Sequence, residues 1–370
     1  MYSLNICHFT SVHPWNDIRI FHKECVSLAS MGHRVTLIAV GEDDREFMEK
    51  GVRVITLRNP FQGRISRALR FTRLVVDRAL KEQADVYHFH DPELLPHAVK
   101  FSRLKRKVVY DVHEDLPRQI STKPWIPGWL RPAAARMAER MELRNIRNVA
   151  GVVAATPLIE NRFRVVHSKS CCIFNAPLLS EFERKFNPDY ASRRMVYIGV
   201  ISEKRGIIEI LKALEKVDGR LNLAGKFESE ELMNRCKLMS AWQKVDYHGT
   251  IGREAIAQLL ENSCVGLVTL HPTTNYLDSY PIKMFEYMGA SLPVLASDFP
   301  LWRTIVNEQQ AGLCVDPLNV DAIIEAVNRL FDNAELCRNM GERGRSFVLN
   351  QFNWEAEAVK LNAFYQTLMH

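Results

Sequence analysis

The segment NYLDSYPIKMFEYMGASLPVLAS (residues 275–297) sets Asp278 and Glu286 eight positions apart. Pro281 suits the first turn of a helix, where its missing N–H costs no hydrogen bond. The pattern predicts a helix running through Lys283, Phe285 and Glu286 to Gly289, with the buried strand LPVLAS straight after it. Asp278 then falls in the loop before the helix and Glu286 one to two turns inside. The first N–H groups of such a helix, near Tyr280 to Lys283, have no side chain to cap them. That end is a ready site for a diphosphate. A carboxylate at Glu286 could accept two hydrogen bonds from a ribose diol. The plainer alternative is that Asp278 caps the helix and Glu286 is a solvated face residue. The chemistry of this segment alone leaves both open.

The elements that must position these groups alternate along the whole chain. LNICHF, RVTLIAV, VRVITL, DVYHFH, KVVYDVH, GVVAAT and CCIFN read as strands of the first half. They are short, β-branched and apolar on both faces, as buried parallel strands are. RMVYIGV, GRLNLAG, VDYHG, CVGLVTL, LPVLAS and GLCVD repeat the scheme in the second half. Helices are predicted between them, for example over 19–31, 206–216, 253–262 and 282–289, the first stopping at Gly32. The fold class is therefore α/β, with two Rossmann-like, doubly wound domains. Ligands in such domains sit at the carboxyl ends of the strands. The polar stretch SEFERKFNPDYASRR (180–194) is the expected boundary.

Composition narrows the function classes. The chain has 370 residues, 47% hydrophobic and 25% charged, which suits two domains with full cores. It contains no run of 18 apolar residues, and its start lacks the basic and small-residue signals of a leader peptide. The eight cysteines are scattered without a CxxC and read as reduced core thiols, so a cytoplasmic protein is expected. No GxGxxG occurs, which argues against a dinucleotide oxidoreductase. No D-x-D and no zinc spacing occur either, so no metal and no other cofactor is expected.

The motifs together resemble the retaining glycosyltransferases of the GT-B fold, family 4. Asp278-x7-Glu286 is similar to that family's E-x7-E motif. SVHPWNDIRIFHKECVSLASMGHRVTLI, HFHDPELLP, VVYDVHEDLP, GVVAATP, YIGVISEKRG, YPIKMFEYMGASLPVLASDFPLW and AGLCVDP follow in the family's order and span most of the chain. The resemblance implies two Rossmann-like domains facing across a cleft. Residues 1–180 would form the acceptor-side domain and 181–352 the nucleotide-sugar domain. A last helix, 353–370, would cross back onto the first domain.

The resemblance also implies roles. Glu286 would bind the ribose hydroxyls. Asp278, one methylene shorter than the family's Glu, would face the donor sugar. Backbone groups of Tyr280 and Ile282 would contact the donor, and the base would be read near Thr250 and Ile251. In YIGVISEKRG the family carries an Arg after the first Gly and a Lys before the second. This chain has Val200 and Arg205 there, so one cation is lost and one kept. Lys226, at the end of LNLAGKF, is a replacement candidate. His113, ending VVYDVH, would lie beside the donor sugar or the reacting oxygens. His90 and Asp91 are weaker acceptor-side candidates, since HDP also reads as a turn and helix start. Without a metal, the growing charge on the leaving diphosphate would fall to Arg205, Lys226 and the helix start. The reaction would retain the anomeric configuration, and no carboxylate is identified as a covalent nucleophile. Two other readings stay open: a GT-B nucleotide-sugar epimerase, and a non-catalytic nucleotide-sugar-binding subunit.

Charge adds a partner. The net charge is +6, but residues 1–180 hold 28 Lys+Arg against 18 Asp+Glu, while 181–370 hold 21 against 25. In FQGRISRALRFTRLVVDRALK, Arg64, Arg67, Arg70 and Arg73 recur every three residues, with Ile65, Leu69, Leu74 and Val75 expected on the other side. In WIPGWLRPAAARMAERMELRNIRN, Trp125, Trp129, Leu130, Met137 and Met141 accompany Arg136, Arg140, Arg144 and Arg147. Helices of this kind suit an anionic membrane surface. A carbohydrate or polyprenyl-linked sugar acceptor at the inner face of the plasma membrane is the expectation, alongside the plainer one of solvated Arg faces. No nucleic-acid-binding motif is present.

Overall fold

The computed structural model describes residues 3–63, 66–122 and 126–369. It divides into two compact units, Met1–Asn175 with Trp354–His370, and Ala176–Asn353.

The first unit is built on β1 (Asn5–Pro14), β2 (Arg34–Gly41), β3 (Arg45–Glu49), β4 (Val52–Arg58), β5 (Val86–Phe89), β6 (Lys107–Val112), β7 (Gly151–Ala154) and β8 (Ser170–Cys172). Their order in the sheet is β3-β4-β2-β1-β5-β6-β7-β8. All pairings are parallel except β3 with β4. The order reverses between β1 and β5, so that is the switch point of the sheet. The edge strand β3 was not expected. Its sequence, REFME, has no apolar alternation, because it needs to bury little at a sheet edge.

The predicted helix over 19–31 begins at Ile18, where Asp17 accepts hydrogen bonds from the N–H groups of Arg19 and Ile20 at 2.9 Å each. It winds widely, π-fashion, to Cys25 and continues as an α-helix to Ser30. Gly32 follows with φ +88°, a left-handed stop that a Cβ would disfavour. The last helix, Trp354–Met369, packs within this unit. Trp354 donates through Nε1 to the carbonyl of Lys23 and to Ser27 Oγ, and Glu357 accepts from the N–H of Phe174.

The second unit carries β9 (Arg194–Ile198), β10 (Arg220–Ala224), β11 (Val245–Gly249), β12 (Val265–Val268), β13 (Val294–Ser297) and β14 (Gly312–Val315), all parallel, in the order β11-β10-β9-β12-β13-β14. Its switch point lies between β9 and β12. Helices Ile207–Lys216, Arg253–Glu261 and Ile282–Gly289 match the predicted ones to within a residue. The stretch 180–194 is packed within this unit. Phe182, Phe186 and Tyr190 are buried, and Tyr190 donates to the carbonyl of Ser291 at 2.8 Å.

The first basic stretch differs in part from expectation. Arg64, Ile65 and Trp125 lie outside the described residues. Of the residues expected opposite the arginines, Val75 is buried, together with Phe71, Val76 and Ala79, whereas Leu69 and Leu74 are 70% and 48% exposed. At about 100° per residue Leu69 and Leu74 stand about 140° apart, so they cannot share one side of a helix, and Arg67–Phe71 is in addition a wide π-type turn. Arg67 pairs with Glu93 at 3.1 Å and Arg73 with Asp77 at 3.9 Å. On helix Arg131–Asn145, Ala138 and Glu142 face inward, while Arg136, Met137, Arg140 and Arg144 are exposed.

Candidate active site

In the second unit, three segments end at the switch point. The chain leaves β9 through Gly199, at φ +127°, into the short turn Glu203–Arg205. Gly225, after β10, approaches it so closely that a Cβ there would lie 1.8 Å from the carbonyl oxygen of Gly199. Helix Ile282–Gly289, reached from β12, comes third. Its start follows Pro281, one residue outside the helix, and no side chain caps it. Tyr287 of this helix donates no cap but accepts the N–H of Ile198 at 2.8 Å, tying the helix to the end of β9.

The cations converge over Gly199. A Cβ at that position would lie 3.3 Å from Lys283 Nζ and 3.7 Å from Arg205 Nη1. Arg205 interacts with the hydroxyls of Tyr197 and Tyr276. Lys283 Nζ lies 3.7 Å from the centre of the Tyr197 ring. Its pKa is pushed down to about 7, first by burial and then by Arg205, with Glu286 opposing. Glu286 is part-buried on the same helix, one turn beyond Lys283. Asp278 follows the short helix Thr274–Leu277, in the loop before Pro281.

The remaining donor-side candidates scatter more. Ile282 opens the helix. The Tyr280 ring stacks on Phe352, 6.0 Å between centres, so its side chain packs rather than faces a ligand. Lys226 is exposed just past Gly225. Ile251 lines a hollow with Arg194, Asn222 and Asp246 that none of the other candidates lines. Sequence reasoning ran past Lys283. The available signal was its i, i+3 spacing to Glu286 in the first helical turn.

The first unit holds a second cluster, at the carboxyl ends of β1, β5 and β6. His113 is partly exposed, and its Nε2 lies 3.1 Å from Asp111 Oδ2 and 3.2 Å from His90 Nδ1. His90 is buried, and its Nε2 meets His8 Nδ1 at 3.1 Å. His8 and His88 both reach the hydroxyl of Tyr365 on the last helix. Arg19 spans the acidic pair beneath, with Nη2 3.2 Å from Asp111 Oδ1 and Nε 3.1 Å from Glu24 Oε1. Burial opposes the Asp111 charge, but Arg19 and then His113 outweigh it and hold its carboxyl well below the usual range. Glu24 goes the other way. Burial, and then the Asp111 charge, push its carboxyl well above the usual range. Burial lowers His8 and His88 well below the ordinary imidazole value and His90 to about 4. Asp91 is buried too. It accepts from Thr10 Oγ1 at 2.8 Å and from the N–H of Ser11 at 2.6 Å, so it fastens the end of β1.

Sequence reasoning named His113, His90 and Asp91 but not Arg19, Glu24, His8, His88, Asp111 or Tyr365. The signal was the period-two pairs His88-x-His90 and Asp111-x-His113, each on one face of a strand end. Glu24, His90, Asp111 and His113 each offer a ligand atom within 4.8 Å of the others, as do His8, Glu24 and His88. Arg19 already supplies a cation to both carboxylates.

Two doubly wound parallel-sheet units in one chain, the second with cations and a bare helix start at its switch point, define the GT-B class of fold. Solved structures of the class overlay on nearly the whole chain. Sucrose-phosphate synthase from Thermosynechococcus elongatus does so with a TM-score of 0.76, 17% identity and 99% of both chains covered. Anabaena HepE, solved in complex with UDP, gives 0.72 at 13% identity, covering 98% of this chain and 100% of its own.

Residues 180–347 match the model for "Glycosyl transferases group 1" and residues 19–168 that for "Glycosyl transferase 4-like domain". The chain belongs to this family, the GT4-type glycosyltransferases of GT-B fold. Phosphatidyl-myo-inositol mannosyltransferase of Mycolicibacterium smegmatis is 21% identical over 92% of this chain and 87% of its own. An uncharacterized glycosyltransferase of Methanocaldococcus jannaschii is 20% identical over 51% of this chain. The match spans about half the length of that relative, 48%.

Proposed function

We propose that the chain transfers a sugar from a nucleotide-sugar donor, held by the second unit, to a carbohydrate or lipid-linked acceptor, with retention of configuration and without a metal. One observation carries the reading. Arg205 and the uncapped start of the helix bearing Glu286 meet at one switch point, beside Gly199, whose missing Cβ lets Lys283 Nζ and Arg205 Nη1 come close over the backbone. Backbone N–H groups and a guanidinium suit a diphosphate, and Glu286 suits a ribose diol. HepE, solved with UDP-glucose, shares the fold and so supports a nucleotide sugar as donor. The mannosyltransferase relative, named for phosphatidyl-myo-inositol, supports a lipid-borne acceptor.

The chemistry follows from these groups. The sugar–phosphate bond breaks while the acceptor oxygen attacks the same face, and the leaving diphosphate takes the acceptor's proton. The charge that grows on that diphosphate is met by Arg205 and the helix start, which are already oriented. Asp111 holds His113 by its Nε2, and the ring stays partly exposed at the strand ends of the first unit, which suits it to meet an acceptor oxygen there.

The test is an assay of UDP-, GDP- and ADP-sugars with membrane extract as acceptor, comparing the wild type with Glu286→Ala. Transfer by the wild type and its loss in a folded Glu286→Ala are expected. Binding without transfer would favour a non-catalytic subunit. Sugar interconversion without an acceptor would favour an epimerase.

A further inference from the structure

We propose that Lys283 is a ligand for the donor's diphosphate, closing on the same anion as Arg205. The inference rests on the nucleotide-sugar reading of this site and adds a residue that the motifs did not assign.

Lys283 is costly where it stands. It occupies the first turn of helix Ile282–Gly289, where the helix field disfavours a cation. Its stem keeps some surface, but Nζ is closed off from water and makes no hydrogen bond among the described residues. A buried, unpaired ammonium is expensive. The face of Tyr197 offsets only part of that cost. An anion between Lys283 and Arg205 would supply Lys283 with the partner it lacks and Arg205 with an anionic one in addition to its two tyrosine hydroxyls.

The place is the right one. Nζ and the Arg205 guanidinium both end over Gly199, beside Val200, where the motif otherwise carries an arginine. Val200 is 47% exposed and offers no charge. A lysine arriving from the neighbouring helix restores the second cation by another route. No such account explains Lys283 as a fold-holding residue, because an apolar side chain would pack there at lower cost.

A consequence separates ligand from bystander. The groups facing Nζ are Arg205 from the turn after β9, Tyr197 from β9, and Glu286 from its own helix, with Tyr276 interacting with Arg205 and Tyr287 with Tyr197 and Glu286. Burial and then Arg205 hold the ammonium down at about 7, against the pull of Glu286. At pH 8 the empty site is therefore mostly unprotonated, and a bound diphosphate restores the proton. Above that pH the competent fraction, and with it the affinity, falls by about tenfold per unit.

Calorimetric titration of UDP, GDP and ADP into the full chain at pH 8, in two buffers of different ionisation enthalpy, reads this directly. The wild type is expected to take up most of one proton with the nucleotide. Lys283→Met is expected to lose both that uptake and about thirtyfold or more in affinity. Binding by Lys283→Met within threefold of the wild type overturns the proposal. So does uptake that persists in Lys283→Met, since the proton then lands elsewhere. Absence of uptake in the wild type overturns it without any variant, should Lys283→Met fail to fold. If the wild type binds none of the three nucleotides, the donor-site reading itself fails and takes this inference with it.

Discussion

Arg205 closes the short turn after β9 and points its guanidinium over Gly199, at the spot where a leaving diphosphate would gather charge. An arginine can grip two phosphate oxygens at once, and here it is already oriented by the hydroxyls of Tyr197 and Tyr276. Removing one such preoriented donor typically costs about 3 kcal/mol in the transition state. Arg205→Ala should therefore lower kcat/KM about a hundredfold or more, with the larger share in kcat. Steady-state kinetics with the preferred donor decide it. An effect confined to KM would mean that Arg205 holds the ground state only. Arg205 could be named from the sequence because the resemblance puts a cation right before the second Gly of YIGVISEKRG. Lys283 could not, because a lysine in a first helical turn looks like any surface lysine until its Nζ proves to be enclosed. The same holds for Glu24 and Arg19, which pair with each other on one helix but meet Asp111 and His8 on strands outside it.

Buried parallel strands announce themselves, so both sheets were readable from runs such as RVTLIAV and CVGLVTL. The failures have separate physical causes. β3 is an edge strand with little to bury, and Leu69 and Leu74, five residues apart, do not share one side of a helix that also opens with a π-type turn at Arg67–Phe71. Helix Arg131–Asn145 shows what survives that test. Its exposed side carries Arg136, Met137, Arg140 and Arg144, and Trp129 just before it is 80% exposed. A large aromatic and a row of arginines in water suit an anionic lipid surface, each cation there being worth about 1 kcal/mol at most. Among the described residues, no helix is long and apolar enough to cross a membrane. We expect the protein to co-sediment with vesicles containing anionic lipid at low salt, and far less at high salt. Arg136→Glu with Arg140→Glu should abolish the binding. Equal sedimentation with neutral vesicles would remove the electrostatic account.

At the scale of the whole molecule, the two units respond differently to acid. The first buries His8, His88 and His90 as neutral imidazoles at the ends of β1 and β5. Burial holds all three below their unfolded value, His90 at about 4. Below about pH 6.5 the unfolded chain therefore takes up protons that the folded unit refuses, and stability falls as the pH falls. For His90 alone the loss is about 2 kcal/mol at pH 5, rising toward about 3 near pH 4. Glu24 works in the opposite direction, because its raised value means that the folded state holds a proton the unfolded chain has released. Asp111, held well below the usual carboxylate range, acts in the same sense as the imidazoles. The second unit's histidines, His248 and His271, are not buried. Hydrogen exchange at pH 7.5 and pH 5, corrected for the intrinsic rates, should show protection lost first in peptides covering β1, β5 and β6. Peptides covering β9, β12 and β13 should hold theirs. Replacing His90 by Gln, which stays neutral, should shift the loss in the first unit to lower pH. Equal loss in both units would mean that the imidazole cluster does not govern acid stability. The same three strand ends hold His113 in place through Asp111 and His90, so the groups expected to make the first unit acid-sensitive also position a partly exposed imidazole at the switch point.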